Sequence, residues 1–237
     1  MAISTNPLDW LRSVQPRRAI ALLLLLLPLT IGAQTVRDLW LSMPPSLAPY
    51  LSTSLRTQCL DFYDMHTDAQ TDNALKGKSR IDTLTSTFLA ATLSKAHTLQ
   101  MKLLPASGSA SGLGSSMVSG SSSSLSSCDS VLCVVRSWDG PKRDSEVQLF
   151  DRQWKPLQAP LTFSADSFVC RPDTMSEERF SRLVAMLDPI MFSVSLSPAE
   201  NVLLVKLSPV VPNPEDEKAI EQILMQRKLK WDGKTFK

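Results

Sequence analysis

Carboxylate and imidazole side chains cluster at one place in this 237-residue chain, just after position 60. Asp61, Asp64, His66 and Asp68 could supply the oxygen and nitrogen ligands that bound cations require. The spacing lacks the turn glycine and closing glutamate of a calcium-binding loop. Two interpretations therefore stand: a solvated helix end, which the composition favours, or a metal site with these four residues as candidate ligands.

Familiar catalytic patterns are incomplete. The segment Asp72–Ser79 approaches a phosphate-binding loop, but aspartate replaces the first glycine and would repel phosphate, so a turn leading into a strand is the better interpretation. With only His66 and His97 present, a catalytic triad has few candidates, and His97 is expected to be exposed in a hairpin turn. We predict no catalytic residue. A pair of carboxylates acting on glycans stays open, because sequence gives no distances.

One tryptophan is a candidate contact residue. Trp138 precedes Asp139-Gly140, a dipeptide typical of hairpin turns, so its indole could be exposed at a hairpin tip and bind a partner. For the tryptophans as a set, packing in the core is the favoured interpretation.

The first 33 residues have the layout of a secretory signal peptide. Arg12, Arg17 and Arg18 precede an apolar run, Ala19–Leu29, which is shorter than the roughly 20 residues of a membrane span. Small residues then allow cleavage after Ala33. We therefore predict a protein exported to the periplasm or beyond, with one domain at 34–237 and no membrane span after cleavage.

Charge and cysteine content narrow the class further. The whole chain has 25 basic and 23 acidic residues, and removal of the signal would leave equal numbers of each. A chain without net charge gives no electrostatic reason to expect nucleic acid as a partner. The four cysteines, Cys59, Cys128, Cys133 and Cys170, are too sparse for a disulfide scaffold, and one disulfide or none is expected. We predict no cofactor.

Periodicity predicts both helices and hairpins. Three- and four-residue spacing of apolar residues predicts a helix over Ser42–Met65, Thr174–Glu177 reads as a capping box that begins another, and Asn213-Pro214 begins a third. Alternating apolar residues predict strands in three pairs, and the C-terminal tail could form a last hairpin. Serine and glycine dominate 106–127, which we interpret as a flexible loop. The strand pairs are 88–93 with 99–104, 131–137 with 146–150, and 191–196 with 202–207.

A faint internal repeat relates two of these hairpins. At an offset of 104, Phe88 matches Phe192, Leu99 matches Leu203, and Lys102 matches Lys206. Chance similarity between amphipathic hairpins is an equal explanation. Either way, short hairpin-linked strands between helices predict an α+β fold: an antiparallel sheet with two or three packed helices, possibly in two similar helix-plus-hairpin halves.

Several short segments are distinctive as a set: Met43–Leu51, Asp61–Asp64, Gly77–Ser79, Leu103–Pro105 and Trp154. Together they resemble a known family of secreted proteins from Bacteroidales, catalogued as a domain of unknown function. The resemblance covers most of the chain after the signal and implies a Gram-negative envelope protein, but it supplies no activity and no site residues. The serine- and glycine-rich stretch is longer than the family leads us to expect.

These observations favour a secreted or periplasmic, non-enzymatic module that binds a partner or forms part of an envelope assembly. An open antiparallel sheet would offer an edge or a face to a protein or glycan of the envelope. Two alternatives remain: a small-ligand binding module with a concave sheet, and a carboxylate-based glycan hydrolase. The sequence leaves the oligomeric state open.

Overall fold

The computed structural model describes residues 34–106, 130–211 and 213–237. The predicted signal peptide, Cys128 and nearly all of the serine- and glycine-rich stretch lie outside the described residues. The helices are α1 (Val36–Ser42), α2 (Thr53–Asp64), α3 (Glu177–Ala185) and α4 (Pro214–Glu221), with a 3₁₀ turn at Ala165–Phe168. The strands are β1 (Thr71–Asp72), β2 (Lys78–Leu84), β3 (Phe88–Ser94), β4 (His97–Pro105), β5 (Ser130–Asp139), β6 (Arg143–Phe150), β7 (Phe192–Leu196), β8 (Val202–Leu207) and β9 (Arg227–Lys230).

The described strands form two antiparallel sheets. Strands β1 to β6 lie side by side in chain order, and β7, β8 and β9 make a smaller sheet in the same manner. The α+β class with an antiparallel sheet is therefore confirmed, and the three predicted strand pairs are all present. The tail also folds back, since Trp231 and Phe236 form a bridge around an Asp-Gly turn in which Gly233 has a φ of 97°.

Both faces of the larger sheet are covered, which explains why β5 is almost continuously apolar. On one face, α1 and α2 bury a core that includes Trp40 and Leu99. On the other face, the smaller sheet, α3 and α4 bury a second core around Leu104 and Leu203. Each fully buried side chain of this size contributes about 1.5–3 kcal/mol to folding.

The predicted helix over Ser42–Met65 is wrong in its first half. Helix α1 ends at Ser42, and α2 begins only at Thr53, where the Ser52 hydroxyl accepts a hydrogen bond from the amide of Leu55. The intervening segment carries three prolines, which lack an amide donor and disfavour helical backbone in the residue before each of them. Of the predicted helix only the second half, α2, is helical, and α1 lies before it in a segment for which no helix was predicted.

A buried arginine holds this interrupted segment together. Arg56 is 2 % exposed, and its guanidinium donates hydrogen bonds to the carbonyl oxygens of Leu51, Leu41 and Met43 at 2.9–3.1 Å. The Trp40 indole donates in turn to the Arg56 carbonyl oxygen at 3.0 Å. Backbone carbonyls that no helix can satisfy are thus paired by one side chain.

Helix α3 begins two residues later than the capping box predicts. Ser176 is the residue that caps it, through a hydrogen bond that its hydroxyl accepts from the amide of Arg179, so the predicted role of Thr174 is wrong. Helix α4 begins as predicted: the Asn213 side chain accepts from the amide of Glu215, and Pro214 is the first helical residue.

Among the described cysteines, Cys59, Cys133 and Cys170 are free thiols.

A buried lysine joins the two sheets. Lys102 on β4 is 2 % exposed, and its ammonium donates to the carbonyl oxygens of Ser197, Pro198 and Glu200 in the β7–β8 turn, at 2.6, 3.0 and 2.7 Å. Burial lowers the pKa of Lys102. The turn of the smaller sheet is therefore tied to the centre of the larger one.

Side chains of the larger sheet also accept hydrogen bonds from β7. The amides of Phe192, Val194 and Leu196 donate to Asp144 Oδ1, Ser145 Oγ and Gln100 Oε1, at 3.3, 3.1 and 2.7 Å. Alternate amides of an outer strand are thus satisfied without a further strand.

The internal repeat does not extend to strand register. Phe88 pairs with Lys102, whereas Phe192 pairs with Leu207, so the second hairpin is displaced by one residue relative to the first. Lys102 is buried because it lies on the face of β4 that the smaller sheet covers, whereas Lys206 on β8 is exposed.

Candidate functional site

The structure separates the four candidate metal ligands. Asp64 forms a two-point ion pair with Arg37 of α1, which lowers the pKa of Asp64. His66 and Asp68 line a cleft of about 350 Å³ between α2 and β2, whereas Asp61 stays on the exposed side of α2. Across the described part of the chain, no three histidine, cysteine or acidic side chains come together as a metal site would require.

The same cleft holds two carboxylate side chains, the kind of group that a glycan hydrolase uses in pairs. Asp82 lies there with Asp68, but both of its oxygens are already accepting hydrogen bonds, from Arg80 Nε and from the Thr92 hydroxyl, each at 2.7 Å.

An aromatic and cationic cluster forms around Trp138. The register of β4 and β5 sets His97 directly opposite Trp138, and their rings stack with 5.2 Å between centroids and 9° between planes. Arg136, two residues earlier on the same strand and therefore on the same face, has its guanidinium carbon 5.4 Å from the indole centroid. Trp138 itself remains 39 % exposed, as the sequence suggested.

His97 is buried, which corrects the expectation of an exposed turn residue. The ring of Tyr50, from the segment between α1 and α2, meets it edge-on at 5.9 Å, and the Tyr50 hydroxyl is hydrogen-bonded to His97 Nδ1. With Trp138 stacked on it as well, the imidazole is 7 % exposed, and Nε2 has no partner among the described residues. Burial lowers the pKa of His97 to about 4 and raises the pKa of Tyr50 to about 12, so both are neutral at pH 7.

Two ion pairs border this cluster. Arg136 donates to Glu146 on the neighbouring strand at 2.7 Å, and Arg143 donates to both oxygens of Asp139 at 2.6 and 2.9 Å. The second pair lowers the pKa of Asp139. We call Tyr50, His97, Arg136, Trp138 and these ion pairs the Trp138 surface.

Sequence reasoning found Trp138 but missed Arg136 and Tyr50. Arg136 was detectable, because it lies two positions before Trp138 on a predicted strand and must share its face. Tyr50 lies within the predicted helix over Ser42–Met65, and only the non-helical segment between α1 and α2 brings it to His97.

Comparisons with known proteins identify a family and a similar fold, and they assign no activity. A family model described as "Protein of unknown function (DUF3256)" matches residues 28–236. A solved domain of an uncharacterized protein from Porphyromonas gingivalis W83 is similar, with a TM-score of 0.62 and 23 % identity over 85 % of this chain and 98 % of that one. No curated protein matches. No helix in the described ranges is long and apolar enough to cross a membrane.

Proposed function

We propose that this chain, which belongs to this family of proteins of unknown function, is an exported, non-enzymatic module that binds a protein partner through the Trp138 surface. The observation that carries the proposal is an exposed indole whose position is fixed by His97 and Arg136. Export rests on the layout of the first 33 residues, with cleavage after Ala33.

The composition of the Trp138 surface is that of a protein-binding hot spot. Tryptophan, tyrosine and arginine dominate the residues that contribute most to binding energy, and surrounding polar groups exclude water from them. An indole held by its neighbours before binding also loses little conformational freedom when a partner covers it. The bordering pairs Arg136–Glu146 and Asp139–Arg143 supply the polar rim.

A protein partner fits this arrangement better than a glycan. Sugar rings pack on an open aromatic face, whereas His97 already stacks on the Trp138 indole and Arg136 lies over the same ring. A flat, partly apolar contact with another protein can use the exposed edge of the ring and the guanidinium together. A face of the sheet also suits better than the edge at β7, where three amides are already paired.

The test is a crosslinked pull-down of the full chain, expressed with a C-terminal tag in its own cells. We expect one stoichiometric partner, whose affinity falls at least about thirtyfold for Trp138→Ala, the loss typical of a hot-spot residue. The matched control is Leu157→Ala, which truncates another exposed apolar side chain, 49 % exposed and outside the Trp138 surface.

Equal capture by the parent chain and Trp138→Ala would refute the proposed surface, provided thermal melts show that the variant is folded. The intact mass of the captured chain tests export separately, since cleavage after Ala33 leaves a chain that begins at Gln34. A captured chain that retains all 33 residues would contradict the predicted signal peptide.

A further inference from the structure

A second concave site lies on the opposite side of the larger sheet, between the end of β8 and helix α4. It has a volume of about 330 Å³, roughly that of eleven water molecules in the liquid and within the range of small-ligand pockets. Leu207 and Ile220, both almost completely buried, form an apolar floor together with Leu224. We call this the β8–α4 cleft.

Four charged side chains line the β8–α4 cleft, and two of them are already paired. Lys142 of the β5–β6 turn forms an ion pair with Glu217 of α4. Lys206 on β8 and Glu221, one turn after Glu217 on α4, are exposed and form no ion pair with any described residue. The cleft thus presents one available ammonium and one available carboxylate above an apolar floor.

We propose that the β8–α4 cleft binds a short apolar peptide with free termini. The peptide carboxylate would pair with Lys206, its ammonium with Glu221, and its apolar side chains would cover Leu224 and the exposed Met225, which also line the cleft. A ligand with an apolar tail and only a carboxylate would place its negative charge beside two glutamates. A ligand with an apolar tail and only an ammonium would place its positive charge beside two lysines, so a ligand that carries both charges fits better. This proposal is independent of the partner of the Trp138 surface, because the two sites share no residue.

Isothermal titration of the full chain with the dipeptide leucyl-leucine is the test. We expect saturable binding that weakens about threefold to fivefold in Lys206→Met and in Glu221→Gln, as exposed ion pairs contribute up to about 1 kcal/mol. Both residues are exposed, so these variants should fold. Lys234→Met and Glu178→Gln, at exposed positions outside the cleft, are the matched controls and should bind as the parent does.

Blocked peptides show which terminus each residue binds. Lys206→Met should weaken the binding of leucyl-leucine but leave the binding of its C-terminal amide unchanged. Glu221→Gln should weaken the binding of leucyl-leucine but leave the binding of its N-acetyl form unchanged. Absence of saturation up to about 10 mM dipeptide would overturn the proposal. Tighter binding of octanoate, strengthened by Glu221→Gln, would overturn it as well and assign the cleft to an anionic amphiphile.

Discussion

Replacing Lys102 with methionine tests how the two sheets are joined. Methionine has a similar unbranched stem but cannot donate, so the carbonyl oxygens of Ser197, Pro198 and Glu200 each lose a hydrogen bond. The β7–β8 turn of the smaller sheet thereby loses its hydrogen bonds to β4.

The size of the effect follows from opposing terms. Hydrogen bonds from a charged donor contribute about 1.5–3 kcal/mol each, and Lys102 makes three. Removing the charge recovers the several kcal/mol spent on burying it, and water can reach the carbonyl oxygens because the turn is mostly exposed. We therefore expect Lys102→Met to lower the free energy of unfolding by about 2–4 kcal/mol.

Urea denaturation followed by tryptophan fluorescence measures this difference, and Tm should fall by roughly 5–15 °C. Lys206→Met is the matched control, because Lys206 lies 104 positions later on the equivalent strand but is exposed, and its replacement should change stability by less than about 0.5 kcal/mol. If both variants unfold at the same urea concentration as the parent chain, the carbonyl oxygens do not depend on Lys102 and the reasoning is refuted.

Two further predictions concern buried basic groups. Folding lowers the pKa of His97 from 6.5 to about 4, so the unfolded chain binds the proton more readily than the folded protein. The free energy of unfolding should therefore be at its highest above pH 6.5 and should fall by up to about 3 kcal/mol as the pH falls to 4. Urea titrations at several pH values should show this loss in the parent and a flatter dependence in His97→Phe; equal slopes would contradict it. Arg56→Met should lower the free energy of unfolding by about 3 kcal/mol, since three backbone carbonyls lose their donor, whereas Arg179→Met on exposed α3 should have little effect. Matching urea midpoints for these two arginine variants would show that the interrupted segment does not need Arg56.

Local sequence patterns predicted the hairpins well because alternation and turn residues act over a few positions. The pairs β3–β4, β5–β6 and β7–β8 all lie where apolar alternation placed them. Helical periodicity was less reliable, since the prolines between α1 and α2 interrupt a stripe that otherwise continues.

Contacts between distant segments were not predictable in the same way. His97 is buried because β4 sets it opposite Trp138 and because Tyr50 arrives from a segment 47 residues earlier. Neither strand register nor the covering segment is encoded near His97 in the chain. The exposure of Trp138 was predictable, whereas the neighbours that fix its ring required the fold.

The way β7 meets the larger sheet also bears on self-association. Free amides along an outer strand can recruit the same strand from another copy of a protein and begin an ordered aggregate. In β7 those of Phe192, Val194 and Leu196 are occupied from within, so another copy must first displace Asp144, Ser145 and Gln100. Pairing of two copies through β7 therefore requires the two sheets to separate first.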